Sequence, residues 1–157
     1  MQRRHLLLAA AMPAVARAEP PLRVVASFSI LADLVRAIGG PVVEVSSLVG
    51  PDADAHVYQP SPADARRLAA AQLVAVNGLG FEGWLDRLVR ASGFRGTLVT
   101  ASRGITPRRL GREPDPHAWQ DLGMVQRYVK TLAAALIAQR ASAVSYTHLR
   151  AHETRHD

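Results

Sequence analysis

The sequence predicts an α/β fold, a four-stranded parallel sheet flanked by helices. Three observations carry this. Short β-branched runs alternate with helical stripes four times over, the pattern of strands and covering helices in turn. The helix ends carry capping chemistry, with glycine after one stripe and Ser-Pro-Ala-Asp before another. At 157 residues the chain is long enough for one domain with a real core.

Leu22–Phe28 (LRVVASF) reads as the first strand. Ser29–Ile38 follows, with apolar residues at 30, 31, 34, 35 and 38, a helical stripe. Gly39-Gly40 ends it, since a C-terminal glycine accepts the left-handed conformation. Val42–Leu48 alternates like a second strand and leads into the polar loop Gly50–Pro60. Ser61 then caps a helix, with Pro62 in its first turn and Asp64 near the positive end of its dipole. That helix runs to about Ala71. Leu73–Val76 is a third strand, Gly78–Gly80 a turn, and Phe81–Ala91 a helix with Trp84, Leu85, Leu88 and Val89 inward. Thr97–Thr100 is a fourth strand. Ala101–Pro116 is a long polar loop holding three prolines, and Asp121–Gln139 is a helix with Val125, Val129, Leu132 and Leu136 on one face.

Residues 1–18 stand apart. Arg3 and Arg4, the apolar run Leu6–Val15 and the small-x-small Ala16-Arg17-Ala18 read as a secretory signal peptide cleaved after Ala18. The apolar run is too short to span a bilayer. There is no cysteine, so neither lipidation nor a disulfide scaffold is expected, and the periplasm is the expected compartment. The formal charge of +6 is inflated by the ends: residues 19–139 hold 13 basic and 11 acidic groups. The arginines are scattered with no basic stripe, so nucleic-acid binding has no support. The chain is expected to be a monomer.

Two histidines lie between the leader and the C-terminal tail, His56 in GPDADAHVYQP and His117 in DPHAWQD. Each sits in a Pro-bounded loop with an aspartate two residues before it, Asp54 and Asp115. The loops leave the carboxyl ends of the second and fourth strands, where parallel sheets bind ligands. Two imidazoles on one rim are the start of a transition-metal site, although zinc wants three or four ligands. Asp54 and Asp115 either orient the imidazoles or stabilise their own turns by bonding to backbone. Tyr58 and Trp119 are candidates to wall the site.

A rival motif lies at Val74–Gly83, where Gly78, Gly80 and Gly83 satisfy G-x-G-x-x-G between a strand and a helix. A dinucleotide-dependent oxidoreductase built on Gly78–Gly83 is the alternative. Against it, the motif follows the third strand, and TLVTASR offers no acidic ribose hook at the end of the next. No G-x-S-x-G elbow is present, and the chain is not expected to be an enzyme.

With VVASFSILADLV, GPDADAHVYQPSPAD, NGLGFEGWLDRL and DPHAWQD on the page, the stretch from about Val24 to Ala138 resembles the N-terminal half of the zinc/manganese ABC-importer solute-binding proteins, the cluster A-I family. The resemblance implies one lobe of a two-lobed metal-binding protein, with a divalent metal (Zn²⁺, Mn²⁺ or Fe²⁺) held in the cleft and passed to the membrane permease of an ABC importer. It implies that His56 and His117 are the first two of four ligands, the others lying on a second lobe. It also implies that the Asn-Gly-Leu-Gly turn has no nucleotide role. Some relatives are described as surface adhesins. Ala101–Pro116 lacks the His-rich loop of zinc-selective members, which leaves the metal open. Residues 140–157 depart from the family pattern and are expected to be a disordered, artefactual tail on a truncated chain, its His148, His152 and His156 included.

Overall fold

The computed structural model describes residues 19–153, with side chains through residue 141; the leader expected over 1–18 and residues 154–157 lie outside the described residues. Four strands form a parallel sheet in the order β2-β1-β3-β4. They are β1 (Leu22–Phe28), β2 (Val43–Val49), β3 (Leu73–Val76) and β4 (Thr97–Thr100). The two central strands are buried on both faces, β3 throughout and β1 at every position but Arg23. That is what a parallel sheet covered on both sides requires. Helix α1 (Ser29–Gly39) and α4 (Leu122–Glu153) pack together, as do α2 (Pro62–Ala70) and α3 (Leu85–Ser92). The expected α/β architecture is present.

Several boundaries differ from the sequence reading for local reasons. Ile30 is 45% exposed, while Ala32 joins Leu31 and Val35 in the core. Ile30 sits in the first turn of α1, where it lines a cleft at the carboxyl edge of the sheet. Helix α3 starts at Leu85, not Phe81. Residues 77–84 are instead a turn folded around the inward side chain of Glu82, which bonds to Ser27 and to the backbone of Asn77 and Gly78. The loop 101–116 contains a short antiparallel hairpin, β5 (Arg109–Leu110) and β6 (Glu113–Pro114), turning at Gly111 with a positive φ of 64°.

Helix α4 is capped by Asp121, whose Oδ1 accepts the Gly123 and Met124 N–H groups. Its inward face is Tyr128, Leu132 and Leu136, with Val125 and Val129 only half-buried. Its backbone continues through Glu153, past the Gln139 end read from sequence and into the segment expected to be disordered. No glycine or proline interrupts residues 124–153, so nothing in the local chemistry stops the helix. The side chains of His148, His152 and His156 lie outside the described residues.

The start of α2 is a full capping box. Ser61 Oγ accepts the Asp64 N–H, and Asp64 Oδ2 accepts the Ser61 N–H at 2.7 Å. Asp64 is fully buried, yet it also takes hydrogen bonds from the Ser61 and Tyr58 hydroxyls and pairs with Arg67. Burial works against its charge, but the bonds from Ser61, Tyr58 and Arg67 outweigh it and hold the carboxyl below the ordinary aspartate range. A group lowered in this way stabilises the fold fully above its unfolded value of about 3.9 and loses that contribution as pH falls through the lower folded value. Asp64→Asn is therefore expected to be less stable than wild type at pH 7, with the gap closing as pH drops below about 4. Denaturant melts across that range check this; a gap independent of pH would show that ionisation of Asp64 is not what stabilises the cap.

Candidate metal centre

Parallel topology sends the β2 and β4 chains out over the same edge of the sheet. The loop after β2 carries His56, and the long connection after β4 returns with His117. The two imidazoles meet, with Nε2 atoms 3.2 Å apart across 61 residues of sequence and ring centroids 5.2 Å apart. Two imidazole nitrogens bound to one tetrahedral zinc, each at about 2.0–2.1 Å, stand about 3.3 Å apart. The rings are thus already at the spacing a shared ion demands. They line a shallow cleft of about 220 Å³ with Phe28, Asp54, Phe81 and Trp119.

Asp115 and Asp54 behave differently. Asp115 Oδ1 lies 2.7 Å from His117 Nδ1 and also accepts the His117 backbone N–H at 3.0 Å. That backbone N–H, then the ring, hold the Asp115 carboxyl below the ordinary aspartate range. An ionised carboxylate there takes a proton-bearing Nδ1, which leaves the His117 Nε2 lone pair pointing into the cleft. Asp54 Oδ1 accepts the His56 backbone N–H at 2.8 Å, the turn-forming role. Among the described residues, no group of three or more His, Cys, Asp or Glu is placed to hold a metal, so the pair is an incomplete ligand set.

The floor under the histidines is aromatic. Phe81 meets the His56 ring edge-on at 4.5 Å, and Trp119 meets His117 at 5.2 Å. Phe28, at the end of β1, packs on both Phe81 and Trp119. Trp119 lines the cleft beside His117. Tyr58 instead packs on Trp84 and donates to Asp64. Phe28 and Phe81 were not singled out in the sequence; the signal available was that each ends or follows a central strand at the point where the strand order reverses.

The glycine-rich turn after β3 lies beside this floor. Gly78, Leu79 and Gly80 all have positive φ. A Cβ on Gly78 would stand 2.4 Å from Thr100 Cγ2. The Asn77 and Gly78 N–H groups both point at the Glu82 carboxyl, at 2.6 and 3.1 Å. Those two N–H groups are already taken by the chain's own carboxyl and are not free for a phosphate, which counts against the dinucleotide alternative. The turn also reaches both histidine loops: Asn77 Nδ2 donates to the Pro116 carbonyl at 2.9 Å, and Trp84 Nε1 to the Ala55 carbonyl at 2.7 Å.

A parallel α/β sheet with two convergent histidine loops at its carboxyl edge defines the class, an α/β lobe with a candidate metal site on its rim. The particular family follows from comparison: the zinc-uptake complex component A periplasmic family, ZnuA, matches residues 24–154, and the chain belongs to it. Manganese-binding lipoprotein MntA of Halalkalibacterium halodurans is 36% identical over 74% of this chain and 39% of its own length. Metal ABC transporter substrate-binding lipoprotein FimA of Streptococcus parasanguinis is 32% identical over 85% of this chain and 47% of its own. The solved Mn-bound periplasmic metal-binding protein of Candidatus Liberibacter asiaticus superposes with a TM-score of 0.71 at 33% identity, covering 85% of this chain and 51% of that one. The chain spans less than half the length of these curated relatives.

The turn yields a discriminating pair of substitutions. Gly78→Ala meets both the positive φ and the Thr100 methyl and is expected to cost about 2–4 kcal/mol. Gly83→Ala, with open space around it and no positive φ, is expected to change stability by less than about 1 kcal/mol. Denaturant unfolding of the two variants checks this, and equal costs would show that the turn does not set the requirement.

Proposed function

We propose that this chain captures a divalent transition metal, zinc, manganese or ferrous iron, on His56 and His117, for delivery to the membrane permease of an ABC importer. The observation that carries the reading is the 3.2 Å separation of the two Nε2 atoms in a cleft open to solvent. Membership of a zinc-uptake family and similarity to metal-binding lipoproteins support it. The work is binding and transfer, with no bond made or broken in a substrate.

In this reading the ion is cargo. His117 meets it with a ring fixed by Asp115, and His56 with a ring set against Phe81. The remaining coordination positions are filled by water or by groups beyond the described residues. The signal-like residues 1–18 favour export to the periplasm, and a sequence with no cysteine favours an unlipidated form, unlike relatives that are named lipoproteins.

Titration calorimetry of the full chain with Zn²⁺ and Mn²⁺ is the test. Weak binding is expected, tighter for zinc because two imidazoles follow the general order of divalent affinities. His56→Ala and His117→Ala should each abolish it, and Asp115→Ala should weaken it about 10–100-fold. Affinity should fall as pH is lowered, since both imidazoles must be deprotonated to ligate. Tight binding that survives both histidine substitutions would sink the reading.

A further inference from the structure

Each histidine is preceded by a peptide plane that is held at both ends. Ahead of His56, the Ala55 carbonyl accepts the Trp84 indole N–H at 2.7 Å, while the His56 N–H donates to Asp54 at 2.8 Å. Ahead of His117, the Pro116 carbonyl accepts the Asn77 amide at 2.9 Å, while the His117 N–H donates to Asp115 at 3.0 Å. A peptide tied through both its oxygen and its hydrogen cannot rotate. Only the histidine's own torsions remain to aim the ring. Both outer ties come from one turn, residues 77–84, although the two loops follow the two outermost strands of the sheet.

We infer that Trp84 and Asn77 are positioning residues, which set the two imidazoles at ligand spacing before the ion arrives. The inference rests on the proposed metal reading. Both donors are buried, the Trp84 hydrogen bond fully and the Asn77 one in part. Preorganisation of this kind raises affinity by removing an ordering cost from the binding step. Loss of one such hydrogen bond is expected to raise the dissociation constant about threefold to tenfold.

Trp84→Phe in the full chain removes the indole N–H and leaves an aromatic ring against Tyr58. Three measurements are made far below its thermal midpoint. In metal-free protein, amide exchange of residues 55–57 is expected to speed up while the His117 amide is unchanged. The Zn²⁺ dissociation constant is expected to rise by the stated factor; a merely structural role lowers the midpoint and leaves that constant alone. The third measurement needs no variant. Binding coupling is reciprocal, so saturating zinc is expected to slow exchange of the wild-type Trp84 indole proton. Unchanged indole exchange, or wild-type affinity in Trp84→Phe, overturns the inference while zinc binding that depends on His56 and His117 still stands. Binding indifferent to those histidines overturns the metal reading and this inference together, and the histidine variants tell the two failures apart.

Discussion

The buried carboxyl of Glu82 is the constraint on which the site depends. It accepts the Ser27 hydroxyl and the N–H groups of Asn77 and Gly78, and so folds residues 77–84 back against the end of β3. Everything the turn presents follows from that fold-back. Phe81 is placed under His56, Trp84 is aimed at the loop after β2, and Asn77 at the connection after β4. A helix starting at Phe81 would point these three side chains elsewhere. The carboxyl lies inside the protein rather than in the cleft, so it organises the site without contributing a ligand to it.

Polar groups taken this deep must be satisfied, and they are. Among the described residues no buried side-chain nitrogen or oxygen lacks a hydrogen-bond partner. Asn77 shows why this matters for direction as well as stability. Burial, with the charge of Glu82, pushes the Tyr128 hydroxyl up to about 12, so it remains a proton donor at any physiological pH. It donates to Asn77 Oδ1 at 2.6 Å. With the oxygen end assigned, the nitrogen end can only face Gly78 and Pro116. Helix α4, through one phenol, therefore fixes which way the amide addresses the His117 loop. Partial satisfaction would leave the amide free to flip and the loop free to drift.

Much of the fold was legible because it obeys local rules. The β-branched runs of β1 and β3, the Ser61–Asp64 box and the apolar spacing of α3 each carry their own signal, and strand alternation then dictates a parallel sheet. His56 and His117 were legible as a pair because topology puts the ends of β2 and β4 on one edge. Three things escaped for a common reason. The inward rotation of Glu82, the Tyr128–Asn77 bond and the hairpin inside 101–116 all depend on partners distant in sequence or on pairing of only two residues. Charged residues after a glycine turn usually read as solvated. Glu82 is buried because the positive-φ residues 78–80 bend its own backbone over it, and no periodicity reports that. Asp54 and Asp115 look identical in sequence, yet only the second reaches its histidine's ring.

If His56 and His117 hold an ion as proposed, the described residues carry only part of that work. On the proposed reading, the described residues supply a rigid pair of imidazoles and no third ligand. Rigidity raises the affinity of a half-site but cannot make it selective, because imidazole accepts zinc, manganese and iron alike and ranks them only by their general order. Selection then belongs to the groups that complete the shell, carboxylate favouring manganese and imidazole favouring zinc. A preformed pair on one surface and a completing set on another also makes release simple. Separating the two surfaces returns the ion to two ligands and water, and its affinity falls without any change in the pair itself. On the proposed reading, rigid histidines and easy unloading are compatible for that reason, because the buried turn that fixes the histidines leaves any movement to the groups that complete the shell.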